Sequence, residues 1–329
     1  ILTITEKWAK MMPKGSIFGG HITEYYLETK YPANIQGDQL WINSSICPNQ
    51  DLIKDIFDLK LNESLFDKAE NIIAFRSRDF KESIDCEKSY TDVVFTHILN
   101  LWDIFSKNGD EIRADFDLIT SGRISAKVNA TNTILGDHNL FIEKGASVSC
   151  AIINAELGPV YIGENAVVME GSIIQGPFAL CESSHTKLGA KIYGSTTVGP
   201  HSKVGGELNN VVIFGYSNKG HDGFLGNSVL GEWCNIGADS NNSNLKNNYA
   251  EVKLWNYEKG RFKLTGLQFC GLIMGDHSKC GINTMFNTGT VVGVSANIFG
   301  SGFPRNFIPS FSWGGPQGQT TYLTNKAFE

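Results

Sequence analysis

The stretch MGDHSKCGINTMFNTGTVVGVSANI, residues 274–298, carries an apolar residue at every sixth position: Met274, Cys280, Phe286, Val292 and Ile298. Glycine directly follows three of these residues, at positions 275, 281 and 293. Six residues suffice for one short strand and one turn, and glycine suits the corner because it adopts backbone conformations that side chains disfavour. The period predicts a parallel β-helix, in which three hexapeptides form a triangular coil and the apolar residues stack inside it.

The same period extends towards the start of the chain. Two further series run through Ile162, Val168, Ile174, Leu180 and through Ile192, Val198, Val204. Glycine is enriched to 35 of 329 residues, about 11% against an ordinary ~7%, and it is concentrated after residue 120. We therefore predict a β-helix domain over residues 121–329.

Composition excludes several other classes of protein. With 41% hydrophobic and 11% aromatic residues, the chain buries a core and is not disordered. No Gly-X-Y period indicates collagen, and no apolar run reaches the ~18 residues of a membrane span. A net charge of -6 gives no general affinity for nucleic acid or for an anionic membrane. The seven scattered cysteines form no C-x-x-C pair, which favours reduced, cytosolic thiols.

Residues 1–120 have a different pattern, in which strand-like and helix-like pieces alternate. We expect short helices over residues 23–29 and 50–57, a strand over 40–43, and a helix from Val93 to Phe105 that stops at Asn108-Gly109. This alternation predicts an α/β domain with a helical linker. The chain begins with Ile1 rather than methionine, so we expect an upstream segment to be missing.

The hexapeptide period is interrupted between Gly205 and Trp255 by polar sequence. The run GYSNKGHDGFLG occupies residues 215–226, and NIGADSNNSNLKNN occupies residues 235–248. Amides and one imidazole replace some of the apolar residues that a scaffold requires. Because local rules tend to fail at functional sites, this segment is the candidate site.

Four runs carry a family resemblance: WDIF at 102–105, GPFALC at 176–181, GYSNKGHDGFLG at 215–226 and GSGFPRN at 300–306. With them the chain resembles the divergent bacterial UDP-N-acetylglucosamine diphosphorylase/glucosamine-1-phosphate N-acetyltransferase family, within the hexapeptide-repeat acyltransferases. The resemblance implies a nucleotidyltransferase-like, Rossmann-like first domain, incomplete at its start, and a left-handed β-helix. It also implies acetyl-CoA as acyl donor, a cytoplasmic homotrimer and a role in UDP-N-acetylglucosamine synthesis.

The resemblance also implies roles for individual residues. His221 lies where the family has its general base, and an imidazole suits that role near neutral pH. Asn235 and Asn244 match asparagines near the sugar and the acetyl group. The remaining matches are substrate-binding positions Lys191, Lys219, Asn209 and Phe224, and coenzyme A-binding positions Gly281, Ile282, Gly300 and Arg305. Asn209 replaces a family lysine and Phe224 a family tyrosine, which leaves the identity of the sugar open.

Structural roles are the alternative at these positions. His221 is a candidate corner histidine that bonds a carbonyl group, and the asparagines are candidates for turn ladders. A zinc site of the three-histidine type is disfavoured, because no two of the seven histidines stand five positions apart. We predict no metal in the β-helix.

The first domain lacks two features of an active nucleotidyltransferase. No glycine-rich phosphate loop occurs within residues 1–120, and no carboxylate that would hold Mg²⁺ follows the strand at 40–43. Mg²⁺ is therefore expected only if this domain is active. The predicted function is acetyl-CoA-dependent N-acetylation of an amino-sugar 1-phosphate. One alternative is a sugar-1-phosphate nucleotidyltransferase that uses UTP or dTTP and whose β-helix only assembles the oligomer. Another is a non-catalytic sugar-nucleotide-binding protein.

Overall fold

The computed structural model describes residues 1–80 and 86–323. The chain divides into two compact units, residues 2–99 and residues 100 onward together with Ile1. The segment 100–120, which the sequence analysis assigned to the first domain as its linker, belongs to the second unit.

Within residues 2–80 and 86–99, the first unit combines two α-helices with short strands. A four-stranded mixed sheet has the order β1-β4-β3-β5, in which β4 is antiparallel to both neighbours and β3 is parallel to β5. The strands β2 and β6 form a separate antiparallel pair. The elements are α1 (Ile4–Met11), β1 (Gln39–Ile42), β2 (Ile46–Cys47), α2 (Gln50–Phe57), β3 (Glu63–Phe66), β4 (Ile72–Ser77), β5 (Glu87–Tyr90) and β6 (Thr96–His97), with a 3₁₀ turn at Tyr25–Leu27.

The core of this unit forms where α1 and α2 pack on the strands. Trp8 is buried and donates its indole N–H to the carbonyl of Ile46 at 2.9 Å. Asn49 caps α2 by accepting from the amide of Leu52 at 2.9 Å, as expected of an N-cap asparagine. The expected strand at 40–43 and helix at 50–57 are confirmed.

The expected helix from Val93 to Phe105 is wrong, because this stretch contains β6 and then a short helix α3 (Asp103–Ser106). Val93 and Phe95 pack on the core of the first unit instead of following a helical turn. Asn108-Gly109 does not end a helix either, since α4 (Asn108–Thr120) begins there. Asn108 is bonded to the β-helix, because its side-chain Oδ1 accepts a hydrogen bond from the Thr197 hydroxyl at 2.9 Å.

The second unit is a parallel β-helix of about 10 turns. Its strands are β7 (Thr133–Leu135), β8 (Leu140–Ile142), β9 (Ser147–Val148), β10 (Ile152–Asn154), β11 (Val160–Ile162), β12 (Val167–Val168), β13 (Ile173–Gln175), β14 (Phe178–Leu180), β15 (His185–Thr186), β16 (Lys191–Tyr193), β17 (Thr196–Val198), β18 (Lys203–Val204), β19 (Glu207–Ile213), β20 (Asn218–Lys219), β21 (Phe224–Leu230), β22 (Asn235–Ile236), β23 (Asn241–Asn242), β24 (Lys253–Asn256), β25 (Arg261–Leu264), β26 (Leu272–Met274), β27 (Lys279–Cys280), β28 (Met285–Phe286), β29 (Thr290–Val292), β30 (Asn297–Ile298), β31 (Phe307–Ile308), β32 (Ser312–Gly315) and β33 (Gly318–Thr321). A 3₁₀ turn occupies Asp137–Asn139.

Each coil contributes one strand to each of three faces. Face A comprises β7, β10, β13, β16, the first halves of β19 and β21, and the pair β23–β28. Face B comprises β8, β11, β14, β17, the second halves of β19 and β21, and then β26, β29 and β31. Face C comprises β9, β12, β15, β18, β20, β22, β27, β30 and β32. The predicted fold class is confirmed, with an α/β first unit followed by a parallel β-helix.

Apolar side chains fill the interior in columns, one residue per coil. On face C the inward column is Val148, Val168, Thr186, Val204, Lys219, Ile236, Cys280 and Ile298. Every member is less than 7% exposed. Burial of such columns supplies the main stabilisation of a β-helix, since each coil covers the apolar side chains of the next.

A ladder of stacked rings lines the corner between faces B and C. His201, Tyr216, Trp233 and His277 all have positive φ there, a conformation that is unfavourable for bulky residues. Their ring centroids lie 5.0, 4.6 and 6.2 Å apart in that order, and neighbouring planes differ by 12° or less. Stacking of successive rings offsets the backbone strain at each coil.

A long excursion interrupts one coil between β23 and β26. It carries the antiparallel hairpin β24–β25 and closes where the amide of Cys270 donates to the carbonyl of Asn244 at 2.9 Å. Val252 and Leu254 from the excursion pack with Phe105 of α3 in a second buried cluster. The excursion and α3 thus cover one side of the β-helix. None of the helices in the described ranges is long and apolar enough to cross a membrane.

Candidate functional site

Three predicted substrate-binding residues share the outer surface of face A. Lys191 lies on β16, Asn209 on β19 and Phe224 on β21, in three successive coils. The strand register pairs Lys191 with Glu207 and Glu207 with Phe224, so these side chains form one outward row. Neighbouring strands lie ~4.8 Å apart, which brings the three side chains within the span of a small sugar phosphate.

His221 lies at the corner where face C passes into face A, directly before β21. Its side chain is exposed. Gly223 makes this turn possible: its φ is +118°, and a Cβ there would lie 2.2 Å from the carbonyl oxygen of Ser240 in the next coil. The turn is tied to its neighbours where the amide of Glu207 donates to the Gly223 carbonyl at 3.2 Å, and that of Asp239 to the Asp222 carbonyl at 3.1 Å. The imidazole is thereby presented to solvent from a fixed backbone.

The predicted coenzyme A residues lie along the same corner as His221. The register of β20, β22, β27 and β30 places His221, Ala238, Ile282 and Gly300 at equivalent corner positions of successive coils. Ile282 is 70% exposed, and Gly281 accepts a hydrogen bond from the Thr284 hydroxyl at 2.8 Å. Three coil steps, or about 14 Å, therefore separate His221 from Gly300.

Arg305 lies beyond this corner, between β30 and β31, and its side chain is exposed. Its contribution to cofactor binding stays a prediction.

The two candidate catalytic asparagines take part in amide pairs between coils. Asn235 accepts from the Asn218 amide at 2.9 Å, and Asn244 donates to Asn227 at 2.8 Å. Asn235 lies on face C, between the corner residue Trp233 and the corner position Ala238, whereas Asn244 follows β23 at the far edge of face A. Their carboxamides are therefore oriented by the β-helix itself, and any substrate contact uses the remaining donor and acceptor positions.

Lys219 is located differently from the other candidates. It occupies the inward column of face C, is 2% exposed, and donates from Nζ to the main-chain carbonyl of His221 at 2.5 Å. Burial lowers the pKa of its ammonium to about 8, although the carboxylates of Asp222 and Asp239 act in the opposite direction. The amine points into the β-helix and away from the outer surface that Lys191 occupies.

A second polar side chain, Asn242, also replaces an apolar residue in the interior. It is 4% exposed and bonds the backbone of Gly226 twice, accepting from the amide at 2.8 Å and donating to the carbonyl at 3.1 Å. Lys219 and Asn242 both line a small cavity with Ser240 and Phe286. The interior is thus polar in the coils behind His221.

Sequence reasoning missed a hydrogen-bonded pair on face A, Tyr193 and Glu207. The Tyr193 hydroxyl donates to the Glu207 carboxylate at 2.6 Å, and this bond together with burial raises the pKa of Tyr193 to about 12. Tyr193 follows Lys191 by two positions, so strand periodicity would have placed both on the outer surface. The pair adds an anionic acceptor beside Lys191.

No metal centre is found among the described residues. Within residues 1–80 and 86–323 no group of three or more His, Cys, Asp or Glu side chains is placed to hold an ion. In the first unit, Asp55, Asp58 and Glu63 line an open groove together with Tyr90. Among the described residues these three carboxylates do not form a group that is placed to hold an ion.

Comparison with known proteins gives one match to a family model and one to a curated protein. Residues 1–124 match the family model described as sugar nucleotidyl transferase. A protein of Sulfurisphaera tokodaii, named bifunctional sugar-1-phosphate nucleotidylyltransferase/acetyltransferase, is 30% identical over 144 residues. That match covers 43% of this chain and 35% of the relative, so the chain spans about a third of the relative's length. Both matches are to transferases, the class of enzyme that the sequence analysis predicted.

Solved structures also align with this chain. The polySia-specific acetyltransferase NeuO aligns over 58% of this chain and 82% of its own, with 14% identity and a TM-score of 0.30. A UDP-N-acetylglucosamine acyltransferase from Campylobacter jejuni aligns over 58% and 72%, with 13% identity and a TM-score of 0.23.

Proposed function

We propose that this protein is an acetyl-CoA-dependent N-acetyltransferase that acts on an amino-sugar 1-phosphate such as glucosamine 1-phosphate. The observation that supports it most directly is the position of His221. Its exposed imidazole lies at one end of the row of Lys191, Glu207 and Phe224 on face A, and on the same corner as Ile282 and Gly300. A base in this position would lie between a sugar phosphate bound on face A and an acyl donor bound along the corner, as a reaction between two bound substrates requires.

In the proposed reaction, His221 accepts a proton from the sugar amine as that nitrogen attacks the thioester carbonyl of acetyl-CoA. A C–N bond forms, the C–S bond breaks, and the coenzyme A thiolate takes up a proton as it leaves. Asn235, Asn244 or backbone N–H groups would stabilise the oxyanion. His221 is the proposed general base because an uncharged imidazole nitrogen can accept the proton of the attacking amine.

Substrate binding is assigned to face A and to the corner. Lys191 would hold the sugar phosphate, with Asn209 and Phe224 against the sugar ring, and Gly281, Ile282, Gly300 and Arg305 would contact coenzyme A. The resemblance further supports a cytoplasmic homotrimer in which the acyl donor is shared between subunits, and a role in UDP-N-acetylglucosamine synthesis. Sedimentation of the purified protein tests the trimer.

The decisive test is His221→Ala, assayed by thiol release from acetyl-CoA with glucosamine 1-phosphate. The loss of a general base should lower kcat by ~10²–10⁴-fold while the circular dichroism spectrum is kept. His201→Ala is the matched control, because His201 is also an exposed corner histidine but belongs to the ring ladder. An undiminished rate in His221→Ala would contradict the assignment.

A second candidate function rests on the match of residues 1–124 to the sugar nucleotidyl transferase model. In that case the protein couples UTP or dTTP to a sugar 1-phosphate, and the β-helix only assembles the oligomer. Pyrophosphate release by the full-length protein, with Mg²⁺ supplied, separates the two activities. Binding of a sugar nucleotide without turnover of either kind would instead favour a non-catalytic binding protein.

A further inference from the structure

The interior column of face C contains one residue that a β-helix scaffold does not explain. Seven of its eight members are aliphatic, threonine or cysteine side chains, and the eighth is Lys219. Burying an ammonium group is costly unless it is hydrogen-bonded. A methionine of similar length would fill the same space without that cost. Packing alone therefore does not explain why a lysine occupies this position.

The contact that Lys219 makes supplies a reason. Its Nζ donates to the main-chain carbonyl of His221, two residues further along the chain. Lys219 is buried in the interior, whereas His221 is exposed, so the ammonium bonds the backbone of a residue whose side chain faces solvent. The ammonium thus reaches the turn at 221–223 from the inside, in addition to the two backbone hydrogen bonds that Glu207 and Asp239 donate to it from neighbouring coils.

Close packing around the turn makes its position sensitive to this contact. A Cβ on Gly206 in the preceding coil would lie 2.9 Å from the His221 carbonyl oxygen, and a Cβ on Gly223 would lie 2.2 Å from the Ser240 carbonyl oxygen. The backbone is therefore confined on both sides. The ammonium adds a further restraint on the turn through the His221 carbonyl, because a hydrogen bond to a charged donor is stronger than a neutral one.

We propose that Lys219 is a positioning residue that fixes the His221 turn from inside the β-helix and so orients the imidazole at the corner. The catalytic part of this inference rests on the proposed function, whereas the anchoring part does not. Lys219 makes no contact with substrate in this role, which distinguishes it from the outward-facing Lys191.

The test compares Lys219→Met with the wild-type full chain. The amide protons of Glu207 and Asp239 report on the turn directly, because they are bonded to the carbonyls of Gly223 and Asp222. Without the ammonium, their hydrogen exchange measured by NMR should accelerate at least ~10-fold. The amide of Gly163, bonded to Leu180 at 2.7 Å in a distant coil, should be unchanged.

Activity provides the second readout. Misplacement of the base should lower kcat for acetyl transfer by ~10-fold or more and leave KM for the sugar phosphate nearly unchanged. Val168→Ala is the control variant, since Val168 is buried in the same column three coils away. It should alter stability without altering kcat. Lys219→Leu replaces Lys219→Met if methionine prevents folding.

The two hypotheses fail in different ways. Wild-type exchange at Glu207 and Asp239 in a folded Lys219→Met or Lys219→Leu protein would overturn the anchoring role, whatever the activity. Accelerated exchange with unchanged kcat would overturn the link to catalysis. Accelerated exchange in a protein with no acetyl transfer even in the wild type would support the anchor and contradict the proposed function.

Discussion

At the scale of single residues, burial of Lys219 has a consequence for stability as well as for the site. Its pKa is lowered to about 8 in the folded protein, against an ordinary ~10.4 in an unfolded chain. Between these two values the unfolded chain holds one more proton than the folded protein. The stability that the neutral amine contributes is therefore fully present at pH values above the unfolded-chain pKa. It is lost as the pH falls from there through the pKa of the folded protein.

We accordingly expect the free energy of unfolding to rise between pH 8 and about 10.5, by up to ~3 kcal/mol for this group. Urea unfolding at several pH values measures it. Other groups of the unfolded chain titrate in the same range, so the quantity to compare is the difference in free energy of unfolding between wild type and Lys219→Met. The free energy of unfolding of Lys219→Met minus that of the wild type should increase as the pH falls, and it should be larger at pH 7.5 than at pH 10.5. A pH-independent difference would show that Lys219 titrates as an ordinary exposed lysine.

Lys219 also shows where prediction from sequence reached its limit. The inward column repeats at 18 residues from Val168 to Thr186 and from Thr186 to Val204, but the next step, to Lys219, is 15. A strict six-residue period therefore no longer identifies the inward-facing residue in the coils where the polar residues begin. The sequence pattern predicted the interruption, and the shortened coil concealed which lysine points inward.

At the scale of elements, the ring ladder should couple neighbouring coils energetically. Tyr216 and Trp233 stack at 4.6 Å with planes 6° apart, and both have positive φ. Asparagine tolerates that backbone conformation, so Tyr216→Asn and Trp233→Asn remove the rings without adding strain. A double-mutant cycle on the free energy of unfolding should give a coupling of about 0.5–1.5 kcal/mol.

The control for this cycle pairs Tyr216→Asn with Tyr257→Asn, since Tyr257 lies on the hairpin excursion and packs against Phe307 instead. Additive effects are expected there. If the changes in free energy of unfolding for Tyr216→Asn and Trp233→Asn were additive as well, ring stacking would not compensate the backbone strain at these corners.

Helix prediction succeeded and failed for identifiable reasons. The helix at Gln50–Phe57 has a capping asparagine and an apolar face, with Leu52, Ile53 and Ile56 buried, and both features are visible in the sequence. In the stretch from Val93 to Phe105 the apolar spacing was helical by coincidence. Its residues divide between the core of the first unit and the cluster around Phe105, and only tertiary contacts reveal that division.

At the scale of the whole molecule, the position of the unit boundary can be tested. We expect a fragment of residues 100–329 to fold and a fragment of residues 121–329 to be less stable. The shorter fragment lacks Phe105, which is 2% exposed among Val229, Val252 and Ile273. It also lacks Asn108, which bonds Thr197 and the Ser195 carbonyl.

Loss of a buried phenylalanine alone costs about 3–5 kcal/mol, so the shorter fragment should unfold at clearly lower urea concentration. Circular dichroism follows both transitions. Equal midpoints would mean that the segment 100–120 contributes nothing to the β-helix and that a boundary at residue 120 describes the protein better.

The excursion between Asn244 and Cys270 has a practical consequence. Because it leaves and re-enters the same coil, its length does not set the register of the strands before or after it. The turn of its hairpin β24–β25 contains Lys259 and Gly260, which are exposed. Such loop tips accept added residues at little thermodynamic cost. An affinity peptide or a fluorescent label inserted there would allow the folded protein to be purified or followed without altering either terminus.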